Sequence, residues 1–292
     1  MLILKKIMAE AYAPKNSIIE TVMPNMAGWR PARDPGTVHA SDITKDGFCP
    51  RAFALYQVTG KKPKDEYIDA ALGATFDVGN ATADLFTNKW AGEAIVGNWE
   101  CGKCGEQRTF CTKPKTGCTQ SAKCDWRYKE VKFVSKEYDV SGSLDAIMNL
   151  AAPKYFVTEL KIIKPEEFEK LVAPLAEHRI RTSLYLKLVE DSDSAYKGSL
   201  NLQEARIFYV SRGYGKKDAK SGKIIPFKEY AVPRNDGALG PYLQRAQAVK
   251  LFRDKKLMPA GVCASTLDPR SKKCSVCAEC FSGKYMAQQA PL

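Results

Sequence analysis

The stretch 141-SGSLDAIMNLAAPKYFVTELKII-163 decides the fold. Two β-like runs, 137–150 and 155–163, flank the short turn Ala151–Ala152–Pro153–Lys154, which is a hairpin signal. Residues two apart on a strand share a face, so Glu159 and Lys161 project together. Leu160 and Ile162 then face the other way, into a core. With the runs paired, Asp145, mid-strand in the first, sits beside Glu159. Two carboxylates and an amine on one sheet face are costly unless they hold something. Hard oxygen donors suit Mg²⁺ or Mn²⁺. A lysine beside them orients a water or stabilises charge on a phosphoryl group. E-x-K alone is common on solvated strands. The combination G-x-x-D, hairpin, E-x-K is much more specific.

Working outward, Pro165 suits a first helical turn, and Glu166 and Glu167 complement its dipole. That helix continues, with a break near Pro174, through "AEHRIRTSLYLKLVED". Upstream, "ASDITKDGFCPRAFALYQVTG" (40–60) reads as a capped helix, and a second helix is expected over 74–93. Downstream, 204–212 and 227–232 read as strands and 239–256 as a final helix. Residues 1–40 are expected to be a loop-rich extension, because Pro14, Pro24, Pro31 and Pro35 interrupt them. The order of elements predicts an α/β fold.

The 292 residues carry a formal charge of +12. Residues 101–136 alone hold nine Lys/Arg against three Asp/Glu. A second basic, Gly-rich stretch, 211–223, reads as a mobile hairpin loop. Two positive regions suggest a polyanionic partner, most simply nucleic acid. No apolar run approaches the roughly 20 residues of a membrane helix. The opening "MLILKK" lacks signal-peptide architecture, so a soluble, cytoplasmic protein without a membrane partner is expected.

The motif Gly142, Asp145, Glu159, Lys161 resembles the PD-(D/E)XK nuclease superfamily. Its RecB-like members carry a Gln and a Tyr on the helix after E-x-K; here Arg181 stands at the Gln position, and Tyr185 matches. His178, Arg181 and Tyr185 fall at i, i+3 and i+7, one face of a helix. The resemblance implies a restriction-endonuclease-like core: a central mixed sheet flanked by helices. It implies catalytic roles for Asp145, Glu159, Lys161, Arg181 and Tyr185, with Asp145 and Glu159 binding Mg²⁺ or Mn²⁺. The expected activity is that of a deoxyribonuclease, most simply an exonuclease on single-stranded DNA or DNA ends, in recombination, repair or phage replication. Its partners would be DNA and a helicase or recombinase. A structure-specific endonuclease has the same motifs. One departure stands out: RecB-like nucleases usually carry a metal-ligating His where this chain has Ala83, although Asn80 and Asp84 lie nearby. That departure motivates a second expectation, a catalytically weakened DNA-binding or assembly module.

Ten cysteines accompany only two histidines. In a non-secreted chain such clusters more often bind metal than form disulfides. "CGKCG" (101–105) is a zinc-knuckle turn. Its partners are expected among Cys118 and Cys124, with Cys111 as competitor, making 101–136 a zinc-ribbon-like insertion between nuclease-domain segments 41–100 and 137–292. The other cysteines are Cys49, in "CPR", and four at the end. Iron–sulfur RecB-like nucleases, the AddB type and the CRISPR-associated and phage exonucleases, place one Cys before the nuclease core and three after it. That resemblance implies a [4Fe–4S] staple on Cys49, Cys263, Cys274 and Cys280, with Cys277 as competitor. Zinc on the terminal cysteines is the alternative.

Overall fold

The computed structural model describes residues 18–31, 36–213 and 225–284. The chain begins with α1 (Ile18–Met26), β1 (Gly28–Arg30), β2 (Val38–His39), α2 (Ala40–Ile43), α3 (Pro50–Thr59), β3 (Glu66–Ile68) and α4 (Ala70–Leu85). After a π-helical turn, β4 (Ile95–Cys101), β5 (Gln107–Thr112), β6 (Trp126–Lys129), β7 (Val131–Ser135), β8 (Val140–Leu144), β9 (Ala146–Met148) and β10 (Phe156–Ile163) follow. The chain then forms α5 (Pro165–Lys170), α6 (Ala176–Glu190), β11 (Glu204–Ser211), β12 (Phe227–Pro233), α7 (Gly240–Lys255), α8 (Pro269–Lys273) and α9 (Cys277–Phe281).

A seven-stranded mixed sheet forms the centre, in the order β12-β11-β10-β9-β4-β5, with β6 also paired to β4. β10 and β11 are parallel, and the chain crosses between them through α5 and α6. A second sheet, β2-β8-β7, has three strands. α6 packs on strands of both sheets and contributes Leu184, Leu186, Leu188 and Val189 to the main core. The fold class is therefore mixed α/β, with a central mixed sheet flanked by helices, as expected.

Several local expectations need correction. Residues 137–150 are not one strand. The run breaks at Asp145, and the chain changes sheets there: β8 pairs with β2 and β7, whereas β9 pairs with β10 and β4. The segment 40–60 is two helices, because the residue before Pro50 is biased out of helical backbone. α3 starts afresh at Cys49, whose sulfur accepts the Ala52 N–H at 3.4 Å, and ends at Gly60 with φ 69°. The helix expected over 74–93 begins earlier, where Asp69 accepts the Leu72 N–H at 2.8 Å. Part of the N-terminal extension is ordered secondary structure, since α1 spans Pro24 and β1 pairs with β3. Within 101–136, β5 and β6 both bond to β4, and β7 pairs with β8. The basic hairpin expected over 211–223 falls mostly outside the described residues. Among the described residues no helix is long and apolar enough to cross a membrane.

Gly142 has a packing reason to be glycine. It lies opposite Phe133 on β7, and a Cβ built on it would come 2.3 Å from Phe133 Cζ. We expect Gly142→Ala to cost about 1–3 kcal/mol, the usual range for overpacking, measured by chemical denaturation. Phe133→Leu in the same chain should recover part of that loss.

Candidate active site and thiol clusters

The register of β9 on β10 sets Ala146 against Thr158, so one step further Asp145 falls against Glu159. Asp145 Oδ2 accepts the Leu160 main-chain N–H at 2.9 Å. Burial, and then the charge of Glu159, push the Asp145 carboxyl up to about 7, against a lowering pull from Lys161. Glu159 is 2% exposed. Its Oε1 meets Lys161 Nζ at 2.5 Å and Arg181 Nη1 at 3.6 Å. The hairpin therefore brings Asp145, Glu159 and Lys161 together, and α6 adds Arg181.

Tyr185 is buried on α6 and packs edge-on against Phe133. Burial, then the charges of Glu159 and Asp145, raise its hydroxyl well above the ordinary range, so it keeps its proton. His178, two turns earlier, does not join the site. It is buried, with Nδ1 2.7 Å from Tyr209 Oη. Burial, then the cations Lys161 and Arg181, hold it down at about 4, so it is neutral at ordinary pH.

A cleft of about 550 Å³ opens at Asp145 and Tyr185, walled also by His39, Glu130 and Lys132. Glu159 and Lys161 are not among its lining residues. His39 and Glu130 were missed at the sequence level. His39 lies in the segment expected to be loops, and only the parallel pairing of β2 with β8 sets it opposite Ser141, whose Oγ is 3.1 Å from His39 Nδ1. Glu130 was read as part of the cysteine insertion. The alternation of Val131 and Phe133 just after it was the available sign of a core strand. Near the position that lacks His, Ala83 packs against an apolar cluster, Asn80 is exposed, and the Asp84 carboxylate accepts the Asn88 amide at 2.9 Å.

The mid-chain thiols converge. The sulfurs of Cys101, Cys118 and Cys124 lie within 4.8 Å of one another, and Cys104 joins Cys118 and Glu106 within the same span. Cys101 and Cys124 sulfurs are 3.4 Å apart. Zinc at about 2.3 Å from four tetrahedral sulfurs needs them about 3.8 Å apart; Cys101, Cys118 and Cys124 are grouped on that scale and Cys104 adjoins them through Cys118, so these cysteines could hold a metal. The main-chain N–H of Lys103, aided by that of Cys104, lowers Cys101 to about 6, while burial pushes Cys124 up to about 12. The knuckle turn thus prepares one thiolate, and a metal would have to displace the proton held by Cys124. Cys111 lies outside the cluster, on β5 opposite Gly97, with its carbonyl accepting the Trp99 indole N–H at 3.0 Å.

The terminal thiols are arranged differently. Cys49, Cys263, Cys274, Cys277 and Cys280 all line one cavity of about 1000 Å³. No three of their sulfurs lie within 4.8 Å of one another. Cys263 and Cys280 are each raised by burial and each feels the charges of Cys49 and Cys274. All five therefore face a shared space, and no three are as close as one tetrahedral ion requires. Buried Arg51 reinforces the join, donating to the Pro259 carbonyl at 3.1 Å and the Cys280 carbonyl at 3.3 Å.

No protein-family model matches the chain, and no curated protein matches it. The crystal structure of SSO0001 is similar over 77% of this chain and 80% of that one, at 15% identity and a TM-score of 0.32, and carries no argument about activity.

The state of His178 gives a pH prediction. Its pKa is about 4 in the fold against an ordinary 6.5. A depressed base contributes stability that is present above pH 6.5 and is lost as pH falls towards 4. The stability of His178→Gln should therefore fall less steeply than that of wild type across this window, by about 2–3 kcal/mol overall, in denaturant titrations at stepped pH.

Proposed function

We propose that this protein is a metal-dependent deoxyribonuclease of the RecB-like PD-(D/E)XK kind, acting as an exonuclease on single-stranded DNA or DNA ends. The observation that carries the proposal is the strand break at Asp145. It sets one carboxylate beside Glu159, ties it to the Leu160 N–H and opens it to a cleft.

Asp145 and Glu159 would hold Mg²⁺ or Mn²⁺, with Glu130 within reach of the same cleft. When bound, the ion supplies Lewis-acid polarisation of the phosphodiester and lowers the pKa of water. Lys161, on the same face as Glu159, orients the attacking water and balances the carboxylate charge. Arg181 would contact a phosphate oxygen, a role suited to its fork of donors. Tyr185 keeps its proton and donates it as a hydrogen bond into the cleft. His39, fixed by Ser141, presents its second ring nitrogen as a further polar contact.

Two thiol sites complete the proposal. Cys101, Cys104, Cys118 and Cys124 would hold structural Zn²⁺ beside a basic segment able to rest on DNA phosphates. Cys49, Cys263, Cys274 and Cys280, with Cys277 as competitor, would hold a [4Fe–4S] cluster that staples α3 to the C-terminal segment. A second reading, a DNA-binding or assembly module with weakened turnover, is favoured by Ala83 and by the pairing of Glu159 with two cations.

Purified protein with Mn²⁺ should degrade labelled single-stranded DNA, and Glu159→Ala should lose that cutting while still binding DNA. Binding without cutting by the wild type would favour the second reading. Metal analysis of an anaerobic preparation should find about four Fe and one Zn per chain. Cys49→Ser should lose the iron and keep the zinc.

A further inference from the structure

The cavity that gathers the terminal thiols has a second wall of different chemistry. β1 and β3 form a two-stranded antiparallel sheet with Arg30 opposite Glu66 and Gly28 opposite Ile68. Strand alternation puts Arg30, Glu66 and Ile68 on one face, and all three line the cavity, together with Lys64 and with Phe76 of α4. The Arg30 guanidinium carbon lies over the Phe76 ring, 4.5 Å from its centre. Phe76 is 39% exposed, so the ring is not taken up by a core.

The charge of this lining is one-sided. Five basic side chains, Arg30, Lys45, Lys64, Arg270 and Lys273, stand against two acidic ones, Asp42 and Glu66. Lys45 pairs with Asp42, and Arg270 with Asp268. Among the described residues Arg30, Lys64 and Lys273 make no ion pair. Thr37 lines both this cavity and the carboxylate cleft, so the two spaces meet at that residue.

We propose that the basic, ring-bearing wall of this cavity is the path of a single-stranded polynucleotide, which runs past Thr37 into the carboxylate cleft, the thiol wall being left to the group its cysteines hold. Arg30, Lys64 and Lys273 take backbone phosphates, and the Phe76 ring takes the face of an unpaired base. Basic side chains that track a backbone, together with an exposed ring on which a base stacks, are the two requirements of single-strand binding. A duplex offers no free base face to Phe76, and a neutral apolar peptide would leave the basic excess unmatched. The thiols line the same cavity, so a strand here passes close to whatever they hold. The placement of the cut in the cleft rests on the nuclease reading; the strand path itself does not.

The test measures binding without cutting. In the full chain carrying Glu159→Gln, fluorescence anisotropy follows a 20-nucleotide oligo-dT, a 5-nucleotide oligo-dT and a 20-base-pair duplex. Arg30→Gln with Phe76→Leu should weaken the 20-mer about 5- to 100-fold, the range for losing one stacked base. Duplex affinity should stay within twofold. Phe76→Tyr, which keeps a ring, should bind the 20-mer as the parent does. Arg30→Gln alone should lower the salt slope by about one. The proposal is overturned if the double variant holds the 20-mer within twofold of the parent, or if the 20-mer and duplex weaken equally. If wild-type protein fails to cut DNA while the expected binding pattern appears, the nuclease reading falls and the strand path stands. If it cuts and the double variant keeps its affinity, the reverse holds.

Discussion

One main-chain hydrogen bond organises the centre of this protein. The Leu160 N–H points at Asp145 Oδ2 across 2.9 Å. It is an amide on the central strand β10 bonded to a carboxyl at the single residue where the chain leaves one sheet for the other. A bond of this kind is worth about 0.5–1.5 kcal/mol to the neutral carboxyl and about 1.5–3 kcal/mol to the ionised one. Its structural value is larger, because it fixes β8 and β9 relative to β10. Asp145 is thereby pressed against Glu159, and its carboxyl resists ionisation, mainly through burial. A buried pair of carboxylates with two facing cations is an expensive arrangement for a core to keep. It is a reasonable arrangement for a site that takes up a divalent cation and a phosphate.

The rest of the molecule keeps that centre rigid from two sides. On one side, β4 runs from the central sheet directly into the knuckle Cys101–Cys104, so the mid-chain thiol cluster is anchored to the strand next to β9. On the other, Arg51 at the start of α3 bonds to carbonyls more than two hundred residues away in sequence. α3, α7 and the terminal segment share a small apolar cluster of Ala54, Leu55, Phe252, Met258 and Val276. That cluster is modest, and the buried Arg51 adds two polar bonds to the same join. The two thiol groups differ in spacing, tight in one and open in the other.

Much of the centre was legible in the sequence. Period-two alternation placed Glu159 and Lys161 on one face, and pairing of the two runs was enough to expect Asp145 beside Glu159; the register itself, Met148 on Phe156, is one residue off what a turn of Ala151–Lys154 alone would set. The crossover helix was readable from Pro165 and its two glutamates. What escaped was non-local. The break at Asp145 leaves only a faint local mark, the consecutive apolar Ala146 and Ile147 where alternation would put a polar residue. It arises because β8 finds partners in β2 and β7, far away in sequence. For the same reason His39 and Glu130 went unnoticed. His178 was placed on the site's helix face from its spacing, but its ring bonds to Tyr209 on the adjacent strand β11. Helical spacing gives the face and not what covers it.

The central claim is that Asp145 and Glu159 together form one divalent-cation site. Titration of Mn²⁺ into the purified protein, with free Mn²⁺ followed by electron paramagnetic resonance, tests it most directly. The wild type should show a saturable site whose affinity falls at least about tenfold, or 1.4 kcal/mol, in Asp145→Asn and in Glu159→Gln alike. Wild-type Mn²⁺ binding in both variants would contradict it.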